Sequence, residues 1–253
     1  MSHPNTAIIG IDCAVSEKNI GLACGIYGQP SSLQYLVPGK KDHVIPQIVE
    51  WCQQSDAALL TMDAPLGWPV NMGDELTHHE AGQPIKTKRN EFFNRETDKA
   101  IHRRYGKKPL EVGSNLIART AHAALEMLDT LRDELHHDIP VRWSPSFRRG
   151  EFGAIEVYPA ATVIAHGLGK GNYHSDKNLD RRDHIMRYLQ KTLNFECEDE
   201  VLRTNPHVLD AALCVLAGQD FLDGTVVPPI HHEPVQQEVW IWVKKMEDSL
   251  SVY

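Results

Sequence analysis

Two short apolar runs that each end in an aspartate constrain this chain most. Ala7-Ile-Ile-Gly-Ile-Asp12 and Ala57-Ala-Leu-Leu-Thr-Met-Asp63 both read as buried strands closed by a carboxylate. Between them, polar turn material at 16–19 precedes a second strand at 20–27, and a third follows at 32–37. Short connections in succession predict an antiparallel meander. Val44, Ile45, Ile48, Val49, Trp51 and Cys52 then recur at helical spacing. A strand reached through a helix is expected to lie parallel to its neighbour. Alternation puts Asp12 on one face with Ile8 and Gly10, and Asp63 with Leu59 and Thr61. If the two strands are adjacent and parallel, both carboxylates meet at one edge of the sheet. Their repulsion then calls for a proton or a cation, and oxygen ligands suit Mg²⁺ or Mn²⁺. The plain alternative is turn chemistry, with Asp63-Ala-Pro65 opening a turn.

Further along, residues 64–113 read as an insertion, rich in Gly, Pro and His at its start and basic later. An amphipathic helix is expected over 116–135, a fifth strand over 154–158 and a helix over 183–193. Asn205-Pro206 opens another helix, with Asn as N-cap and Pro at the first helical position, running to about Leu222. That helix carries His207 and Asp210, three apart and on one face. Asp210 is a third candidate ligand; it also suits the positive end of a helix. Glu156 alternates with Ile155 and Val157, which fits either a fourth site carboxylate or a solvent-facing Glu. A late strand at 238–243 alternates Trp240, Ile241 and Trp242 and is expected to pack on both sides.

The segments IGIDCA (9–14), TMDAPLG (61–67), NRETDKAIHRR (94–104), EVYPAA (156–161) and HVLDAALCVLAG (207–218), in that order, span most of the chain. Their order resembles the ribonuclease H-like fold, and more specifically the DUF429 family, described as predicted nucleases of that fold. The HxxDA pattern of the last helix is also similar to Holliday-junction resolvases, where it contributes metal ligands. The resemblance implies an α/β fold: a mixed five-stranded sheet flanked by helices, with an insertion after the fourth strand. It implies one domain over 1–253, and metal-binding acids at Asp12, Asp63 and Asp210. Arg95 and Asp98 match an Arg-x-x-Asp motif of the inserted segment, Arg103 follows it, and Glu156 matches the acid of the EVYP motif.

From Lys86 to Lys108 nine basic residues face only Glu91, Glu96 and Asp98, with Phe92, Phe93 and Tyr105 interleaved. Basic side chains bind phosphates and aromatics stack on unpaired bases. If 91–104 is helical, Arg95, Asp98 and His102 fall near one face, with Arg103 beside them: a phosphate clamp over the metal centre, or else a solvated charged helix. The net charge of −8 over 253 residues excludes a broad basic coat for DNA and favours a local contact, a single strand or a small phosphoester. Five scattered cysteines without a C-x-x-C spacing point to free thiols in a reducing compartment. No targeting segment or membrane span is evident, so a cytoplasmic protein without a membrane partner is expected. The adjacent pairs His78-His79, His136-His137 and His231-His232 read as surface histidines. Gly167-Leu-Gly169-Lys-Gly171 reads as a helix C-cap and turn rather than a phosphate loop.

The leading function is two-metal phosphodiester hydrolysis, with ions bridged by Asp12 and held by Asp63 and Asp210, and His207 moving a proton. Glu156 would complete the ligand shell or orient water, and Arg95 and Arg103 would offset phosphate charge. An actin-like ATP-dependent phosphotransferase would need glycine-rich loops after the acidic strand ends, which Cys13-Ala-Val-Ser16 and Ala64-Pro65 lack. A non-catalytic nucleic-acid or protein-binding module with a degenerate site is the third reading. A homo-oligomer is compatible with all three.

Overall fold

A computed structural model describes residues 5–229 and 233–246; the His231-His232 pair lies outside them. The chain opens with the expected meander: β1 (Thr6–Asp12), β2 (Gly21–Ile26) and β3 (Ser32–Pro38), paired antiparallel. Helix α1 (Val44–Gln53) leads to β4 (Ala57–Asp63), which pairs parallel with β1. Then come α2 (Val70–Thr77), α3 (Arg89–Phe93), α4 (Glu96–Tyr105) and the long α5 (Asn115–Leu135). Strand β5 (Phe152–Glu156) pairs parallel with β4 and leads into α6 (Pro159–Ala165) and α7 (Leu179–Thr192). A two-residue β6 (Asn194–Phe195), α8 (Glu200–Thr204), α9 (Pro206–Leu222) and α10 (Glu233–Glu238) follow.

The sheet runs β5-β4-β1-β2-β3-β6. Its first five strands, with a meander of three followed by two parallel additions, make this an α/β ribonuclease H-like fold. The sixth strand corrects the expected count of five. Only Ser32↔Asn194 and Leu33↔Phe195 pair there, too short a run to leave a periodic pattern. Both faces of the sheet are covered, which is why β1 and β4 read as continuous apolar runs. Ile9, Ile11, Leu60 and Met62 pack with Ile48 and Trp51 of α1 and Leu128 and Leu131 of α5. Ile8, Leu59 and Ile155 face the other way, onto α9 and, beyond it, α7.

Helix α9 begins where its cap predicts, with the Asn205 carboxamide oxygen accepting from the His207 and Val208 backbone N–H groups. It is buried all round from Val208 to Gly218 rather than along one stripe, because α6, α7 and α8 cover the side away from the sheet. Two glycines let it lie flush on the strands. A Cβ on Gly10 would stand 2.0 Å from the Ala211 carbonyl oxygen, and one on Gly21 would stand 1.9 Å from that of His207. The first turns of α9 are thereby pressed onto the carboxyl end of β1.

Two other expectations change. The helix expected over 91–104 is broken at Asn94-Arg95 into α3 and α4. The Glu96 N–H donates to Glu238 and the Arg95 N–H to Asp98, bonds that a continuous helix would forgo. Residues 239–246 are not a regular strand but make single bridges, Ile241 to Glu156 and Lys244 to Val226, with Trp240 and Trp242 both buried. After α6, Gly167 and Gly169 sit at φ of 72° and 87°, a turn requiring the left-handed region. Among the described residues no helix is long and apolar enough to cross a membrane.

Candidate active site

The parallel register of β1 and β4 pairs Asp12 directly with Asp63. One turn into α9, Asp210 comes down over them. Each of the three offers a carboxylate oxygen, and these oxygens all lie within 4.8 Å of one another. Asp12 and Asp210 are buried, Asp63 half-buried. Gathering three anions at this spacing in low dielectric is costly, and the acids' proton affinities record it. Burial, reinforced by Asp210 and opposed by the His207 hydrogen bond, pushes Asp12 up from 3.8 to about 6. Burial together with the Asp12, Asp210 and Glu156 charges holds Asp63 well above its ordinary value.

Two histidines attend the cluster. His207 Nδ1 lies 2.6 Å from Asp12 Oδ2, and His174 Nε2 lies 2.8 Å from Asp210 Oδ2. The other Asp210 oxygen accepts from the Tyr173 hydroxyl at 2.6 Å. Each hydrogen bond to a carboxylate raises the affinity of its imidazole for a proton. Asp210 is thus aimed by two partners and Asp12 by one. Tyr173 and His174 had not been singled out in the sequence. They lie 37 and 36 residues before Asp210, in the turn ahead of α7, and no spacing rule links them to it. Only the packing of that turn on α9 does.

Glu156 and Arg95 lie beside this cluster but are committed elsewhere. Arg95 is 1% exposed. Its Nη2 stands 2.7 Å from Glu156 Oε1 and 2.9 Å from Asp98 Oδ1. Its Nη1 donates to Glu156 Oε2 at 2.8 Å and to the Glu238 carbonyl at 3.1 Å, and the Leu66 N–H donates to Glu156 Oε2 at 2.9 Å. Both Glu156 oxygens are engaged, and through them Glu156 ties together β5, the loop after β4, α4 and residue 238. Arg95 and Asp98, expected near a phosphate, are both buried in this tie. Arg103 is exposed and borders a separate depression with Asn94, Lys99, His102 and Lys108, not the acid cluster. His78, His79, His136 and His137 are all exposed.

The cluster opens into a cleft of about 270 Å³ whose lining includes Asp12, Cys13, Asp63 and Glu156. Three converging carboxylates fit a divalent ion: hard oxygen donors, close enough to share it.

A family model described as a protein of unknown function, DUF429, matches residues 6–234. No curated protein is similar to the chain in sequence. Among solved structures, Thermus thermophilus RuvC in complex with a Holliday junction substrate is similar at 8% identity and a TM-score of 0.39, over 87% of this chain and 97% of that one. Another Thermus thermophilus RuvC structure gives 9% and 0.37 over 87% and 97%. The yeast mitochondrial Holliday junction resolvase gives 9% and 0.33 over 88% and 84%. Likeness of this degree bears on neither mechanism nor substrate.

Proposed function

The chain belongs to the DUF429 family, and from that premise we propose that it is a metal-dependent phosphodiesterase, a nuclease in the broad sense. The observation that carries the proposal is the convergence of Asp12, Asp63 and Asp210 oxygens within 4.8 Å. These three residues would hold Mg²⁺ or Mn²⁺, the ions suited to an all-oxygen site. A divalent ion bound there supplies a water of lowered pKa and stabilises charge on the scissile phosphate.

The chain's own residues do the rest. Tyr173 and His174 fix the rotation of the Asp210 carboxylate, one oxygen each. His207 holds Asp12 through Oδ2 and, being half-buried beside the cleft, can take up the proton released at the attacking oxygen. The Arg95–Glu156–Asp98 tie keeps the ends of β4 and β5 in place. In this proposal the chain is one domain into which residues 64–113 are inserted. All three acids come from one chain, so no second copy is required. All five cysteines are free, which suits the reducing cytoplasm.

Asp12→Asn tests the reading. Cleavage of a generic phosphodiester by the wild type should require Mg²⁺ or Mn²⁺, and the variant should lose about 10³-fold or more in kcat. Metal-dependent cleavage by Asp12→Asn at the wild-type rate contradicts the assignment.

A further inference from the structure

The walls of the cleft differ from its floor. Beyond Asp12 and Asp63 it is bounded by Pro65, Pro109, Leu110, Ile117, Tyr158 and Ile241. These come from the loop after β4, the exit of the inserted segment, the start of α5, the end of β5 and the segment after α10. Leu110, at the lip, is 67% exposed. An apolar side chain held in water beside a polar site marks a surface that something covers. The Tyr158 hydroxyl has no hydrogen-bond partner among the described residues. Thr120 also lines the cleft, its hydroxyl donating to the Leu116 carbonyl.

Resting on the phosphoester reading above, we propose that this cleft receives the base of an unpaired nucleotide whose phosphate sits at the acid cluster. Three observations select that occupant. The first is size: about 270 Å³ is near the lower end of small-molecule pockets. It admits one flat ring with part of its sugar and excludes a base pair. The second is lining. A bare sugar phosphate would leave its hydroxyls unpaired against Pro65, Pro109, Leu110 and Ile117, which is costly. A base offers two π faces to such walls, with Tyr158 able to stack or to bond a ring edge. The third is charge. Among the described residues Arg95 is the only cation lining the cleft, and it is spent on Asp98 and Glu156. The basic residues of α4 border other depressions, Lys99 and Arg103 one, Arg103 and Arg104 another. A duplex backbone therefore finds no basic track through the cleft, whereas one phosphate held at the acids and one base between the walls need none. A free nucleotide and the terminal nucleotide of a single strand share this chemistry.

Calorimetric binding to the full chain in Mg²⁺ tests the assignment. Probes are thymidine 5′-monophosphate, deoxyribose 5-phosphate, a short single-stranded oligonucleotide and the blunt duplex of the same sequence. The mononucleotide should bind about tenfold or more tighter than deoxyribose 5-phosphate. Ile117→Trp, which fills the cleft, should abolish that preference. Leu110→Ala, at an exposed position that folding does not need, should reduce it. Whichever of the mononucleotide and the single strand binds tighter identifies the source, and either supports the assignment. Equal binding of deoxyribose 5-phosphate, a preference that survives Ile117→Trp, or a duplex that binds as well as the single strand overturns it. Hydrolysis of methyl p-nitrophenyl phosphate, which has no base, reports on the acid cluster separately. Metal-dependent turnover without a base preference overturns the cleft assignment alone. A base preference without turnover of any phosphodiester upholds the cleft and overturns the hydrolytic reading.

Discussion

Asp12 is paired with Asp63 across β1 and β4, approached by Asp210, and held by His207. Its carboxyl is pushed from 3.8 to about 6, chiefly by burial. A carboxyl whose pKa is raised on folding contributes stability that is complete below its ordinary value and lost as the pH rises through the folded one. His174 and His207 are also raised. Their contribution is complete below the ordinary histidine value and lost above it, so all three groups act in the same direction. The metal-free protein should therefore lose thermal stability as the pH rises from about 4 to about 8. A divalent ion binds the charged acids, so its stabilisation should appear above about pH 6 and vanish near pH 5. Thermal melts with and without Mn²⁺ across this range check the sign. A Tm gain as large at about pH 5 as at about pH 8 contradicts this account of the acids.

At the scale of elements, the Arg95 tie joins α4, β5 and residue 238. Removing one member of such a buried set strands the others as unpaired charges. Arg95→Met should cost about 3–5 kcal/mol of stability. If Arg95 instead served substrate directly, the variant would keep its stability and lose only activity, so denaturant unfolding separates the two. This role was hidden in the sequence. The Arg-x-x-Asp spacing was visible, but read along a continuous helix it put Arg95 on a phosphate clamp or a solvated face, not in a buried tie. The break before α4 is set by Glu238, 142 residues away, and no local pattern carries that. Where the determinants were local, the reading came close. Asn205-Pro206 marked the start of α9, and the apolar runs ending in Asp12 and Asp63 marked β1 and β4. Their parallel direction followed from the crossover rule, while the register that sets Asp12 opposite Asp63 comes from the sheet itself. Tyr173 and His174 could not be read in this way, since their only link to Asp210 is the packing of a turn against a buried helix.

Over the whole molecule, the charge of −8 separates into regions. Three acids converge where the carboxyl ends of β1 and β4 meet α9, while Lys99, Arg103 and Lys108 of the inserted segment border a separate depression. That segment nevertheless shapes the cleft, through Pro65 at its start, Arg95 ahead of α4, and Pro109 and Leu110 at its exit. The exits of β4 and β5, the start of α5 and the first turns of α9 all meet at one end of the sheet, which places the acid cluster, the proposed cation site, beside an apolar slot. The central claim is that the three aspartates form that cation site. Calorimetric titration of Mn²⁺ into the intact chain and into Asp63→Asn, at about pH 8 where the acids are charged, tests it most directly. The account predicts saturable Mn²⁺ binding to the wild type, weakened about tenfold or more in the variant; equal Mn²⁺ affinity in the two proteins would contradict it.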